Sequence, residues 1–207
     1  MTTQTPLKDS YSVKEVGFDE WHQFFEEHAS QVFPDEQSMA LNFLLNPTEK
    51  AKLDSLQANL AQRKELYFLL LDGDKPIGWH FGFQRSELEY FMANTGILPN
   101  YQNRKIYSSF LTYAIQRITD EGFQYITSIH HANNNAVLIP KLKAGFLIQS
   151  FGFLIQTMIL ESNYGPMIQL VYPTKAAYRK LFEPQFGINA LNAALKTDSS
   201  ASQVPDK

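Results

Sequence analysis

The chain of 207 residues contains no cysteine, which excludes a disulfide scaffold, a cysteine nucleophile and thiolate metal sites. Long hydrophobic runs are absent too, since apolar segments such as Tyr67–Leu71 are far shorter than the ~20 residues of a membrane span. The 18 basic residues against 21 acidic ones give a net charge of −3, which argues against nucleic-acid binding. The polar segment Met1–Ser10 shows no signal peptide. We therefore expect a cytoplasmic protein without membrane or nucleic-acid partners.

The two ends of the chain differ from its middle in composition. Residues 1–10 and 196–207 are polar and have almost nothing to bury, so we expect both to be flexible tails. No repeat, low-complexity block or long Gly/Ser linker interrupts the residues between them. We therefore expect one domain over residues 11–195, a length that can bury a sizeable core.

Hydrophobic periodicity predicts a mixed α/β or α+β fold, in which helices cover both faces of a mostly antiparallel sheet. The predicted strands are Ser12–Val16, Leu66–Leu71, Pro76–Phe83, Glu87–Leu98, Tyr125–Ile129, Leu147–Leu160 and Met167–Tyr172. The predicted helices are Asp19–Val32, Asp35–Leu45, Pro47–Arg63, Tyr107–Glu121, a short helix that ends at Ala144, and Thr174–Phe182. We expect the strands at 87–98 and 125–129 to run parallel, because the helix at 107–121 connects them.

The junction between the strand at 87–98 and the helix that follows carries donors and positive charge. A helix N-terminus leaves backbone N–H groups without partners, and these groups can bind a phosphate. Here the turn adds Gln102, Asn103, Arg104 and Lys105. The alternative is an ordinary solvated helix start with a surface Arg-Lys pair.

The segment Pro99–Tyr107 resembles the pyrophosphate-binding signature of the GNAT-type N-acetyltransferases, in which a strand ends at Pro and Gln/Arg-x-x-Gly-x-Gly/Ala opens a helix. Asn134, followed by a helix and Gly145-Phe146, resembles a second family feature, and the likeness covers about Ser12 to Tyr172. The resemblance implies acetyl-CoA as co-substrate. It implies cofactor contacts from Ile97, Leu98, Gln102, Asn103, Arg104, Lys105, Ile106, Tyr107 and Asn134.

Three residues depart from the family pattern. Lys105 and Tyr107 stand where the signature has small residues that let phosphate approach the backbone, so their side chains would obstruct the site. Lys105 would alternatively add charge to a phosphate, and Tyr107 would alternatively turn into the apolar helix stripe. Lys141 stands where many members carry a Tyr that protonates the departing thiolate. We expect Lys141 to be a solvated helix residue, with proton donation as the alternative.

An acceptor amine must lose a proton, and a carboxylate is a usual base. Glu87 and Glu89 share a face of the predicted strand, and Glu89 lies nearer to the position where family members place such a base. The alternative is a pair of solvent-facing charges at a sheet edge. The adjacent pair His130-His131 would point to opposite faces of its strand, so we expect no metal site.

The resemblance implies transfer of an acetyl group from acetyl-CoA to a primary amine of a small molecule or peptide, by direct attack. The alternative is a catalytically inactive binding module whose CoA site is occluded; transfer of a longer acyl chain is a third possibility. The apolar strand at 147–160 offers an edge for a homodimer.

Overall fold

A computed structural model of the chain describes residues 4–33, 46–48, 51–52, 62–102, 104–153, 166–176 and 179. Three helices lie wholly within these residues: α1 (Phe18–Val32), α2 (Ile106–Asp120) and α3 (Asn135–Ala144). Its strands are β1 (Gln4–Pro6), β2 (Tyr11–Glu15), β3 (Glu65–Asp72), β4 (Lys75–Gln84), β5 (Glu89–Ile97), β6 (Tyr125–His131), β7 (Leu147–Phe153) and β8 (Pro166–Pro173).

The strands form one sheet in the order β1-β2-β3-β4-β5-β6-β8-β7. Six of the seven pairings are antiparallel, and only β5 and β6 run parallel. Because parallel neighbours need a crossover, helix α2 connects these two strands across one face of the sheet. The predicted fold class and the predicted parallel pair are both confirmed.

A separate apolar core lies on each face of the sheet. On one face, α2 buries the stripe that the sequence predicted against β3 to β6 and β8, with Phe110, Ala114 and Ile118 at its centre. On the other face, α1 packs Trp21 and Phe24 against Tyr67 and Trp79. The second core covers β3 and β4, and Glu89 and Phe91 at the start of β5 on that face are not part of it.

The structure differs from the expectation at the N-terminus, where Gln4–Pro6 within the expected tail is strand β1. It pairs antiparallel with β2, and Leu7 packs against the core behind it, so this short segment does have apolar surface to bury. The C-terminal tail, the helix at 35–45, most of the helices at 47–63 and 174–182, and residues 154–160 of the predicted strand lie outside the described residues. No helix in the described part of the chain is long and apolar enough to cross a membrane.

Ile126 is fully buried on the face of β6 that α2 covers. We expect Ile126→Ala to lower the free energy of unfolding by about 2–5 kcal/mol, because it removes buried methyl groups and leaves a cavity. Ile139→Ala on α3, where the side chain is 49% exposed, is the matched control and should change it by less than about 0.5 kcal/mol. Urea unfolding measures both; equal losses would contradict the described core.

Candidate functional site

The parallel pairing of β5 and β6 is short, and beyond it the two strands separate. It joins Glu89 to Tyr125 and ends where Phe91 faces Thr127. From there β5 continues to Ile97 beside β4, whereas β6 continues to His131 beside β8. A one-residue bulge at Ala93, between the partners of Phe81 and Gly82, falls where the strands part, and bulges bend a strand. The inner edges of β5 and β6 therefore border a gap in the sheet.

The chain leaves the far end of β5 through a short 3₁₀ turn, Pro99–Tyr101, and enters α2. Lys105, the residue before α2, has left-handed backbone angles (φ 61°, ψ 7°). Among the described residues no side chain caps the helix, and its first turn contains no acidic residue. The first N–H groups of α2 thus keep their hydrogen-bonding capacity and the positive end of the helix dipole for an anion.

Left-handed angles are those that glycine adopts without strain, and Lys105 adopts them although a side chain makes them unfavourable. The Lys105 side chain is exposed. Lys105 therefore adopts backbone angles that suit glycine, and it places an ammonium group at this turn.

The side chain of Tyr107 takes part in the packing of α2 against the sheet. Its ring is partly buried and packs against the core on the α2 face, and burial raises the pKa of its hydroxyl well above the usual value. Of the two alternatives for Tyr107, the structure favours packing in the apolar stripe over obstruction of the turn.

The other predicted contacts in this turn hold its shape. The Gln102 side-chain amide donates to the carbonyl of Ile97 (2.8 Å), and Arg104 donates to the carbonyl of Asn100 (2.9 Å). Both backbone groups of Leu98 already have partners, since its N–H donates to Ile77 and its carbonyl accepts from Tyr101 (both 2.9 Å). Ile106 is buried as the first residue of α2. Asn103 lies outside the described residues.

Asn134 caps α3, as its side-chain oxygen accepts a hydrogen bond from the N–H of Val137 (3.3 Å). This contact satisfies one N–H group in the first turn of α3. Because the oxygen is engaged in the cap, a contact of Asn134 to a cofactor stays a prediction that rests on its amide N–H₂ group.

Glu89 begins β5 and lies on the face opposite α2, since the neighbouring Tyr90 is part of the α2-side core. Its carboxylate accepts a hydrogen bond from the Thr127 hydroxyl and forms an ion pair with Arg85 (3.4 Å). These side chains border a cleft of about 360 Å³ with Gln149 and Gln169. The predicted pairing of Glu89 with Glu87 on one strand face is wrong, because Glu87 lies in the exposed bend before β5.

The expectation that Lys141 is solvated is also wrong: it is 2% exposed. Its Nζ lies 3.7 Å from the sulfur of Met92 and 5.0 Å from the ring centroid of Phe146. Burial lowers the pKa of the amine to about 7. One signal for this was in the sequence, as Lys141 follows buried Leu138 at the i+3 spacing that places both on one helix face.

His130 and His131 both lie on β6, and the described residues contain no group of three or more metal-ligating side chains that would hold a metal ion. His130 shares a hydrogen bond with Ser128 (3.0 Å). Burial, with the charge of Lys141 as the second cause, lowers the pKa of His130 to about 2. His130 is therefore neutral at physiological pH.

Comparison with known proteins assigns this architecture. The acetyltransferase (GNAT) family matches residues 19–146, more than half of the chain. A comparison with curated proteins finds no significant sequence match.

Solved structures share the fold at low sequence identity. A ribosomal-protein-S18-alanine N-acetyltransferase from Escherichia coli is 15% identical with a TM-score of 0.56, over 80% of this chain and 94% of that one. A ribosomal-protein-S5-alanine acetyltransferase from Vibrio fischeri is 13% identical with a TM-score of 0.59, over 84% and 98%. A GNAT family acetyltransferase from Elizabethkingia anophelis with acetyl-CoA bound is 14% identical with a TM-score of 0.52, over 80% and 99%.

The left-handed angles of Lys105 make a test by glycine substitution possible. We expect Lys105→Gly to raise the free energy of unfolding by about 0.5–1 kcal/mol, because relief of the side-chain clash outweighs the added entropy of the unfolded chain. Lys143→Gly, at an exposed position inside α3, should lower it by about 1 kcal/mol. Chemical denaturation measures both; a loss at Lys105 as large as that at Lys143 would contradict the left-handed turn.

Proposed function

This chain belongs to the GNAT family of acetyltransferases, and we propose that it transfers an acetyl group from acetyl-CoA to a primary amine by direct attack. The observation that carries the proposal is the gap between β5 and β6, which leads toward the uncapped N-terminus of α2. The strand edge offers backbone hydrogen bonds to the amide groups in the pantetheine arm of acetyl-CoA. The helix N-terminus offers backbone N–H groups to the phosphates at the end of that arm.

The residues at the turn fit a pyrophosphate. The first N–H groups of α2 point out of the helix, and Lys105 adds positive charge where no carboxylate is present in the first turn. Gln102 and Arg104 stabilise the turn by bonding to backbone carbonyls within it. The edge of β5 between Met92 and Ile97 that faces the gap pairs with no described strand, and in this proposal it supplies the hydrogen-bonding groups for the pantetheine arm.

Glu89 is our candidate for the base that removes the proton of the attacking amine. Thr127 and Arg85 hold its carboxylate in place, and it opens onto the cleft on the face opposite α2. An amine that enters from this cleft meets the carboxylate before it reaches the gap. In this assignment Glu89 acts as general base, directly or through a water molecule.

The acceptor is a primary amine of a small molecule or peptide. Two proteins of similar fold are described as alanine acetyltransferases of ribosomal proteins, so peptides that begin with alanine are the first acceptors to test. We propose a cytoplasmic location for the reaction. We also propose that strand β7, which lies at the edge of the sheet, forms the contact in a homodimer.

One observation favours the alternative of an inactive binding module. Lys105 is larger than the residue of the family signature, and its side chain is exposed beside the uncapped helix start. If that side chain occupied the phosphate position, the protein would keep its fold but would not bind acetyl-CoA. A measurement of acetyl-CoA binding therefore distinguishes an acetyltransferase from an inactive binding module.

We expect calorimetry to show saturable micromolar binding of acetyl-CoA to the full chain. Lys105→Gly should weaken this binding by about two- to fivefold, as the loss of one solvent-exposed charge contact would. The alternative function predicts the opposite, because removal of an occluding side chain would strengthen binding. Failure of both proteins to bind millimolar acetyl-CoA would contradict the transferase proposal.

The role of Glu89 is tested by Glu89→Gln, with Glu87→Gln in the exposed bend as the matched control. We expect the first substitution to lower kcat about 10²- to 10⁴-fold with little change in the KM for acetyl-CoA, because it removes a proton acceptor and preserves shape. Glu87→Gln should stay within about twofold of the unmodified chain, as an exposed residue outside the reaction would. The assay measures CoA release with alanine-initiated peptides, free amino acids and an aliphatic polyamine. Equal rates for both variants would exclude Glu89 as the base.

A further inference from the structure

The cleft on the face opposite α2 has one cation and one carboxylate in its lining, from Arg85 and Glu89. The rest of the lining consists of uncharged side chains from β6, β7 and β8: Tyr125, Thr127, Gln149, Gln169 and Val171. Thr127 is also the last residue of β6 in the parallel pairing. The cleft therefore reaches the point at which β5 and β6 separate.

The turn between β4 and β5 fixes Arg85 beside Glu89. The N–H of Arg85 donates to the carbonyl of Glu89 (2.9 Å), and the N–H of Glu89 donates to the hydroxyl of Ser86 (3.1 Å). The Arg85 guanidinium lies 5.3 Å from the ring centroid of Phe91, which shares a sheet face with Glu89. The hairpin thus holds a cation and a carboxylate side by side at the edge of the cleft.

The contact with Glu89 does not account for Arg85. Its Nη1 lies 3.4 Å from the carboxylate and its side chain is 49% exposed, and an ion pair so long and so exposed contributes little to stability. The Glu89 carboxylate already accepts a hydrogen bond from the Thr127 hydroxyl. A guanidinium has five N–H donors in a planar fork, and within the described residues this one has no second hydrogen-bond partner. Arg85 therefore keeps donors for a ligand.

The two charges of the cleft discriminate among amines. A protonated amine without an acidic group would bring a second positive charge beside Arg85, and like charges repel. An amino acid would bring its ammonium group to Glu89 and its carboxylate to Arg85, so that opposite charges are neighbours throughout. In an α-amino acid both groups are attached to the same carbon atom, which matches the adjacent positions of Arg85 and Glu89. The planar fork of an arginine also suits a carboxylate, which it binds through two parallel hydrogen bonds.

The size of the cleft favours a small acceptor. Its volume of about 360 Å³ lies at the lower end of the ~300–1,000 Å³ that is usual for small-molecule sites. Across the cleft from Arg85, the Gln169 amide donates to the side-chain oxygen of Gln149 (3.1 Å). This contact leaves the Gln169 oxygen and the Gln149 N–H₂ group for polar atoms of the acceptor.

We propose that Arg85 binds the carboxylate of the acceptor and that the acceptor is therefore a free amino acid. This inference rests on the proposed function, since it places the amino nitrogen of that acceptor beside Glu89. Arg85 determines specificity and takes no part in proton transfer. The proposal narrows the range of acceptors, because simple amines and the N-termini of peptides have no carboxylate beside the reacting nitrogen.

The first test measures acceptor binding without turnover, by calorimetry with the full chain saturated with CoA, which carries no acetyl group. The probes are alanine, leucine, glutamine, glutamate and lysine, each compared with its α-amide and with a peptide that begins with the same residue. At least one free amino acid should bind about tenfold or more tightly than its amide and its peptide, because these lack the charge-assisted hydrogen bonds to Arg85. Amides or peptides that bind as tightly as the amino acids would overturn the proposal, as would failure of every amino acid to bind.

The second test uses Arg85→Gln, with Arg63→Gln as the matched control. Arg63 also lies over a phenylalanine ring (Phe83, 4.1 Å) and pairs with a glutamate (Glu65, 2.7 Å), but it does not line the cleft. Arg85→Gln should weaken binding of the preferred amino acid about tenfold and should not weaken binding of its amide, because only the amino acid bonds to the guanidinium. Equal losses for the two ligands, or the same effect from Arg63→Gln, would contradict the assignment.

Kinetics with acetyl-CoA separate this inference from the proposed function. Arg85→Gln should raise the KM for the amino acid about tenfold and change kcat by less than about threefold, as loss of a binding contact does. Amides and peptides that are acetylated as efficiently as amino acids would overturn only the inference about Arg85. Failure to bind acetyl-CoA would overturn the transferase function, whereas Arg85-dependent binding of an amino acid to the chain alone would still support the carboxylate site.

Discussion

The parallel pairing of β5 and β6 joins the two halves of this sheet through three residue pairs. The candidate site depends on this pairing being so short. Beyond Phe91 and Thr127, β5 stays with β4 while β6 stays with β8. A longer pairing would close the gap and satisfy the strand edges internally, and no pairing would leave the sheet in two parts. The crossover helix α2 makes the arrangement stable, since it packs on both sides of the division. The same connection brings its own N-terminus to the end of β5.

The gap also explains the polar character of its surroundings. Backbone N–H and C=O groups at an unpaired strand edge still need hydrogen-bond partners. A site at such an edge therefore offers donors and acceptors from the backbone alone. The side chains then divide by face: a carboxylate held by Thr127 on one side, and a buried amine from α3 on the other.

The sequence predicted most of the fold, because the apolar stripes of α1 and α2 and the alternation of the strands are local patterns. It also placed the turn before α2, where the proline and the polar residues themselves favour a break between strand and helix. It failed at Lys141 and at Glu87. The burial of Lys141 depends on the gap between two strands distant from it in the chain. The position of Glu87 depends on where β5 begins to pair, which local alternation does not determine.

Lys105 and Tyr107 show why a departure from a signature is a poor measure of lost function. A glycine in a phosphate-binding turn serves the backbone, through angles that other residues adopt only at a cost, and it also leaves space. Lys105 adopts such left-handed angles, and its exposed side chain brings a positive charge to the turn. Tyr107 is inside the helix, where its side chain packs into the core. Judged by residue type, both positions contradict the family pattern; judged by backbone angle and side-chain direction, both are compatible with the anion site that we propose.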